Sequence, residues 1–158
     1  MIRICDHLNA EHVSVPLRSR DKAGAIDELI SKLSANGAIT NVEWARRAVW
    51  DREFTRSTGI GNGVALPHGK TAGVEQLVLA AGTSRDGVEF ESIDQRPAHI
   101  VILILSPLSR TSEHIQALAR LSRLLSVDVT RRQLISAPDA RELCKALERH
   151  ERQLSMQG

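Results

Sequence analysis

Apolar and polar residues alternate over His12-Val13-Ser14-Val15-Pro16-Leu17, the pattern of a short strand that ends at Pro16, which has no N–H to give a ladder. Ile26, Leu29, Ile30 and Leu33 then recur at three- and four-residue steps and predict an amphipathic helix stopped by Asn36-Gly37. Thr40-Asn41-Val42-Glu43 has the form of a capping box and predicts the start of a second helix. That helix has Val42, Ala45 and Val49 on its apolar side and Arg52 on much the same side near its end. Leu77 to Ala81 reads as a strand and Gly87-Val88-Glu89-Phe90 as a shorter one. The unbroken apolar run from Ile100 to Leu105 predicts a strand buried on both faces, broken by Pro107. Residues 111–125 are strongly helical, with Ile115, Leu118, Leu121, Leu124 and Leu125 marking the apolar side. Ser136-Ala137-Pro138-Asp139 is a further helix start, with Leu143 and Leu147 on the side to be buried. Helices and strands interleave, so the expectation is a sheet covered by helices on its faces, in one domain over residues 1–158. Strand order stays open.

Composition narrows the classes of function. The chain has 158 residues, 42% of them hydrophobic and 25% charged, enough for one substantial core without staples or metal. The formal net charge is only +2 and the basic residues are scattered, so no track for a nucleic-acid backbone is expected. Cys5 and Cys144 stand far apart in a chain with no CxxC, which argues against a disulfide framework or a zinc site. His68, His99 and His114 have no HxH or HExxH spacing and no clustered carboxylates, so neither a metal site nor a cofactor is expected. The N-terminus lacks the apolar run of a signal peptide, and the longest apolar run is too short to span a bilayer. The expected location is cytoplasmic, with no membrane segment and reduced thiols.

The candidate chemistry lies in the middle of the chain. Thr58-Gly59-Ile60-Gly61-Asn62-Gly63 has glycine at alternate positions, which permits positive φ and close approach of the backbone. It is neither a Walker A motif nor a full GxGxxG, and it reads equally as a tight turn or as a functional loop. His68 follows between Pro67, which stiffens the approach, and Gly69, which leaves room beside the ring. A neutral imidazole has a lone pair that can attack phosphorus, although a loop histidine is also commonly solvated or structural. His114 shares a helical stripe with Leu118, Leu121 and Leu125, so it is either a satisfied core histidine or a group turned toward a site. Arg52 either complements its helix dipole or offers its fork of donors to a phosphoryl group. The remaining histidines, His7, His12, His99 and His150, read as structural or solvated.

The stretch Ser57-Thr58-Gly59-Ile60-Gly61-Asn62-Gly63-Val64-Ala65-Leu66-Pro67-His68-Gly69-Lys70 resembles the active-site signature of enzyme IIA domains of the bacterial phosphotransferase system, fructose/mannitol class. Within that class it is most similar to the stand-alone, nitrogen-related enzyme IIA. Glu113-His114-Ile115-Gln116-Ala117-Leu118 resembles the family's second-histidine helix, and Asp51-Arg52-Glu53 the segment of its arginine. The three matches keep the family order, and the resemblance covers essentially the whole chain. It implies an α/β (α+β) fold with a mixed β-sheet between helices. It implies that His68 accepts a phosphoryl group from a histidine-containing phosphocarrier protein, that His114 helps hold it and that Arg52 neutralises its charge. Thr58, Gly59, Gly61, Asn62, Gly63, Pro67 and Gly69 would shape the site and allow close approach of a partner. The partners implied are that phosphocarrier and either regulatory target proteins or a IIB component of a sugar uptake system.

Overall fold

The apolar run at Ile100–Leu105 is buried from both sides, and the rest of the chain is arranged around it. In the computed structural model, which describes residues 2–157, the run is the middle of a central strand. The elements in chain order are β1 (Val13–Ser14), α1 (Lys22–Ala35), α2 (Val42–Thr55), β2 (Gly59–Gly61), β3 (Val64–Ala65), β4 (His68–Lys70), β5 (Val78–Val88), β6 (Ala98–Ser106), α3 (Thr111–Leu124), α4 (Asp128–Ser136) and α5 (Ala140–Gln157). The strands form one mixed six-stranded sheet in the order β1-β5-β6-β3-β2, with β4 also paired to β6. β5 runs antiparallel to β6, while β3 and β4 lie parallel to it, one after the other along the same edge. This is the α/β architecture, a mixed sheet flanked by helices, that the sequence implied.

Side chains alternate across a strand, so β6 feeds two cores. Ile100, Ile102 and Ile104 face one side and pack with Leu121, Leu143 and Leu147 of α3 and α5. Val101, Leu103 and Leu105 face the other and pack with Ile26, Ile30 and Val49 of α1 and α2. β5 divides the same way, with Leu79 and Ala81 on the first side and Val78 and Ala80 on the second.

Several expected elements have different bounds, each for a local reason. The first strand shrinks to two residues, because His12 closes a 3-10 turn and the chain past Pro16 touches the β5 edge again through isolated bonds, Leu17 N to Thr83 O at 2.7 Å and Glu89 N to Arg20 O at 2.8 Å. The cap of α2 is Asn41, whose side chain accepts from Trp44 N at 3.0 Å; the Thr40 hydroxyl donates instead to Gly73 O at 2.9 Å. The two strands expected over residues 77–81 and 87–90 are one strand, β5, with an irregularity between Thr83 and Val88 where Gly87 has φ +93°. On α3, Ile115 is 60% exposed and off the buried stripe, which runs through His114, Ala117, Leu121 and Leu124. The helix α4 lies outside the sequence expectations, since it buries only Thr130 and Leu134, one turn apart and one of them polar. The start of α5 is as expected, with Asp139 accepting from Glu142 N at 2.8 Å. No helix among the described residues is long and apolar enough to cross a membrane.

Candidate functional site

The edge of β6 positions His68. Val64 and Ala65 pair with Ile100 and Val101, and His68, Gly69 and Lys70 pair with Ile104, Leu105 and Ser106. Between them Pro67 has no N–H to give, but its carbonyl accepts from Ile104 N at 3.0 Å, so the strand is interrupted without leaving the sheet. The turn of chain at Leu66 brings its carbonyl within 2.8 Å of His68 Nδ1. A carbonyl only accepts, so Nδ1 carries the proton and Nε2 keeps the lone pair. His68 thus opens a strand and does not lie in a free loop. Burial, and secondarily the Arg52 charge, hold its pKa below the ordinary value, against the Leu66 hydrogen bond and Glu53, which raise it.

Gly69 brings α2 to the site. It is buried, and a Cβ there would lie 2.9 Å from both the Ala48 carbonyl carbon and the Ala48 Cβ. The α2 backbone therefore rests directly on β4, and one turn later the helix delivers Arg52. Arg52 Nη1 donates to Arg56 O at 2.7 Å, tying it to the helix end. Both Arg52 and His68 line a cavity of about 260 Å³, with Thr58, Ile60, Leu66 and Leu118 among the other lining residues.

His114 comes from the first turn of α3. It is buried, its ring centroid is 5.4 Å from that of His68, and its Nδ1 is 2.6 Å from the hydroxyl of Ser106. Burial first, then the His68 and Lys70 charges, push its pKa down to about 4. Between that value and the ordinary 6.5, protons belong to the unfolded chain. Stability from this group is therefore complete above pH 6.5 and is lost as the pH falls through 4, by about 2–3 kcal/mol. Denaturant titrations at pH 7 and 4.5 will show the loss, and His114→Gln will remove this share of it. An acid loss of the same size in the variant rules out His114 as its source.

The glycine-rich stretch is a β-hairpin. Asn62 and Gly63, with φ +57° and +76°, make the two-residue turn between β2 and β3 that an Asn-Gly pair favours. Gly61, Asn62 and Gly63 form its tip: Asn62 N donates to Asp94 at 3.1 Å, and a Cβ on Gly63 would meet His99. These three residues do not line the His68 cavity, whereas Thr58 does. Gly59 lets β2 lie against the Ser92 backbone, since a Cβ there would be 2.8 Å from Ser92 Cα. Thr58 is held from behind, its N–H and hydroxyl donating to buried Glu53 at 2.9 and 2.7 Å, and Glu53 in turn pairs with Lys22 at 3.1 Å.

The sequence reading missed Ser106, the Leu66 carbonyl and the Lys22–Glu53 pair. Glu53 had a signal, because it continues the Ala45, Val49 stripe by one more turn. Ser106 had a weaker one, a polar residue ending an apolar run. Of the remaining histidines, His99 Nδ1 is 2.8 Å from Ser84 O and His150 bridges Thr130 and Gln133, all away from His68.

Taken together, a neutral imidazole on a strand end, a second imidazole beside it and an arginine fork form an arrangement that can receive an anionic group. Residues 6–150 match the family model described as "Phosphoenolpyruvate-dependent sugar phosphotransferase system, EIIA 2", and the chain belongs to that family. It is 34% identical over 96% of its length to a PTS system fructose-specific EIIABC component of Bacillus subtilis, of which it spans only 24%. It is 31% identical to a nitrogen regulatory protein of Bradyrhizobium diazoefficiens, covering 91% of this chain and 94% of that one. Among solved structures, the nitrogen regulatory protein IIA-Ntr of Neisseria meningitidis superposes with TM-score 0.79 at 28% identity, covering 91% of this chain and 98% of the other. The mannitol enzyme IIA of Escherichia coli, solved in complex with phosphorylated enzyme IIB, superposes with TM-score 0.76 at 25% identity, over 89% and 96% of the two chains.

Proposed function

We propose that this protein is a cytoplasmic phosphocarrier in which Nε2 of His68 accepts a phosphoryl group from the phosphohistidine of a small carrier protein. The observation that carries this reading is the 2.8 Å bond from His68 Nδ1 to Leu66 O, which leaves Nε2 as the nucleophile. In the transfer, the donor's P–N bond breaks and the Nε2–P bond forms. The leaving imidazole takes back the lone pair, and no net proton moves, because Nδ1–H stays on its carbonyl. Such a reaction depends on positioning and on neutralising the equatorial oxygens more than on acid–base chemistry. Arg52 and His114 flank the place where those oxygens would sit. Ile60 and Ile93, exposed apolar residues on the wall of the same cavity, give a docking protein its apolar contact.

We read the role as regulatory. The sequence similarity to the nitrogen regulatory protein runs almost end to end on both chains, and phosphate on His68 adds roughly two negative charges where a partner docks. The second reading, a soluble enzyme IIA that passes its phosphate to a IIB component, is favoured by the fructose-specific relative and by the IIB bound in the mannitol structure. One experiment tests both. Incubation with phosphoenolpyruvate and the general phosphotransferase proteins will add one phosphoryl group, acid-labile and alkali-stable, located at His68 by mass spectrometry. Phosphate on any other residue overturns the reading. Rapid loss of the group to an added fructose-type IIB domain selects the sugar role, and retention selects the regulatory one.

A further inference from the structure

Ser106 closes β6 and has no solvent exposure at all. Its carbonyl accepts from Thr71 N at 2.8 Å, so the backbone is satisfied within the sheet. Its hydroxyl lies 2.6 Å from His114 Nδ1, and among the described residues it has no other hydrogen-bond partner. A hydroxyl carries one proton, and a buried proton without an acceptor is destabilising. The acceptor within reach is the Nδ1 lone pair.

We propose that Ser106 is a positioning residue: it donates its O–H to His114 Nδ1, fixing the proton of that ring on Nε2, where it serves as a donor to the phosphoryl group on His68. This rests on the reading of His68 as phosphoacceptor. The opposite arrangement fails twice. With the proton on Nδ1 the buried hydroxyl hydrogen is orphaned, and a bare Nε2 lone pair is left to face phosphoryl oxygens that are themselves only acceptors. The neutral state of His114 makes the choice matter, because the ring then has a single proton to place. The hydrogen bond also sets the direction of the ring, since Nδ1 is held at the end of β6 and Nε2 is the nitrogen left for a ligand.

Nitrogen-15 NMR of the unphosphorylated protein at neutral pH reads the tautomer directly, and it needs no phosphoryl transfer. The expected spectrum has His114 protonated at Nε2 and bare at Nδ1; a proton on Nδ1 overturns the proposal. The second arm compares Ser106→Ala, which removes one oxygen, with the wild type in uptake from phosphoenolpyruvate and the general phosphotransferase proteins. The expected result is a fall in kcat of about tenfold, the size of one hydrogen bond, with KM for the donor protein unchanged. A wild-type kcat overturns the proposal, as does a change confined to KM. Should the wild type itself take up no phosphate, the phosphoacceptor reading falls while the NMR arm still decides the Ser106–His114 bond.

Discussion

An Arg52→Ala variant will fold normally and accept the phosphoryl group on the order of a hundred- to a thousand-fold more slowly than the wild type. The transferred group spreads negative charge over three oxygens, and donors already in place stabilise it without reorganisation at the moment of reaction. Arg52 meets that condition. It sits in the last turn of α2, one of its nitrogens is committed to Arg56 O, and the helix that carries it rests on the backbone of Gly69 beside His68. The rest of the fork remains to receive oxygens. Its place in the fold carries little stability by comparison, because it is half-buried and bonded to one carbonyl at the helix end. Quenched-flow uptake assays together with circular dichroism separate the two. Arg52→Lys should recover part of the rate, since it restores the charge but not the planar fork. Wild-type transfer in Arg52→Ala with an unchanged spectrum would remove Arg52 from the site, and an unfolded variant would make it a core residue.

The second large effect is on stability. Glu53→Ala will lower the free energy of unfolding by about 3–5 kcal/mol, the range for breaking one side of a buried ion pair. The Glu53 side chain is 1% exposed and its carboxylate has three tasks: it pairs with Lys22 of α1 and accepts from both the N–H and the hydroxyl of Thr58. Removing it strands a mostly buried ammonium, although Lys22 keeps Glu91 at 3.5 Å, so the loss should fall toward the lower end. It also frees Thr58, the wall of the cavity that leads into β2. Equilibrium urea unfolding measures the effect. The double variant Lys22→Met with Glu53→Gln should recover part of it, because it removes the stranded charge. A loss under about 1 kcal/mol in Glu53→Ala would show that the pair contributes little beyond its own desolvation.

Most of the fold was legible because periodicity survives into the structure. The 3.6-residue stripe of α1, that of α3 apart from Ile115, and the apolar run of β6 lie where the pattern put them. What failed was short or irregular. The nine residues of α4 bury only Thr130 and Leu134, too few repeats for a period to emerge. The middle of β5 is broken by the turn at Gly87, so one strand looked like two. Asn41 displaced Thr40 as the cap because Gly73, far along the chain, engages the Thr40 hydroxyl. For the site, the residue types at 52, 68 and 114 were visible and their convergence was not. That convergence depends on β4 and α3 meeting at the same end of β6 and on α2 touching Gly69. The Leu66 carbonyl carries no signature of its own, since any residue has a carbonyl, and the Ser106 hydroxyl only the weak one of a polar residue that ends an apolar run.

The ends of the sheet have a consequence for how other proteins can attach. One outer strand, β1, is two residues long, with Pro16 two residues past its end; the other, β2, is three residues with a register shift at its glycines. Neither offers a row of unpaired N–H and C=O groups long enough to template an added strand. Under the proposed function several proteins touch the chain in turn, and edges this short guard it against edge-to-edge aggregation. Encounters of that kind would be left to side chains, which can let go again once a phosphoryl group has passed.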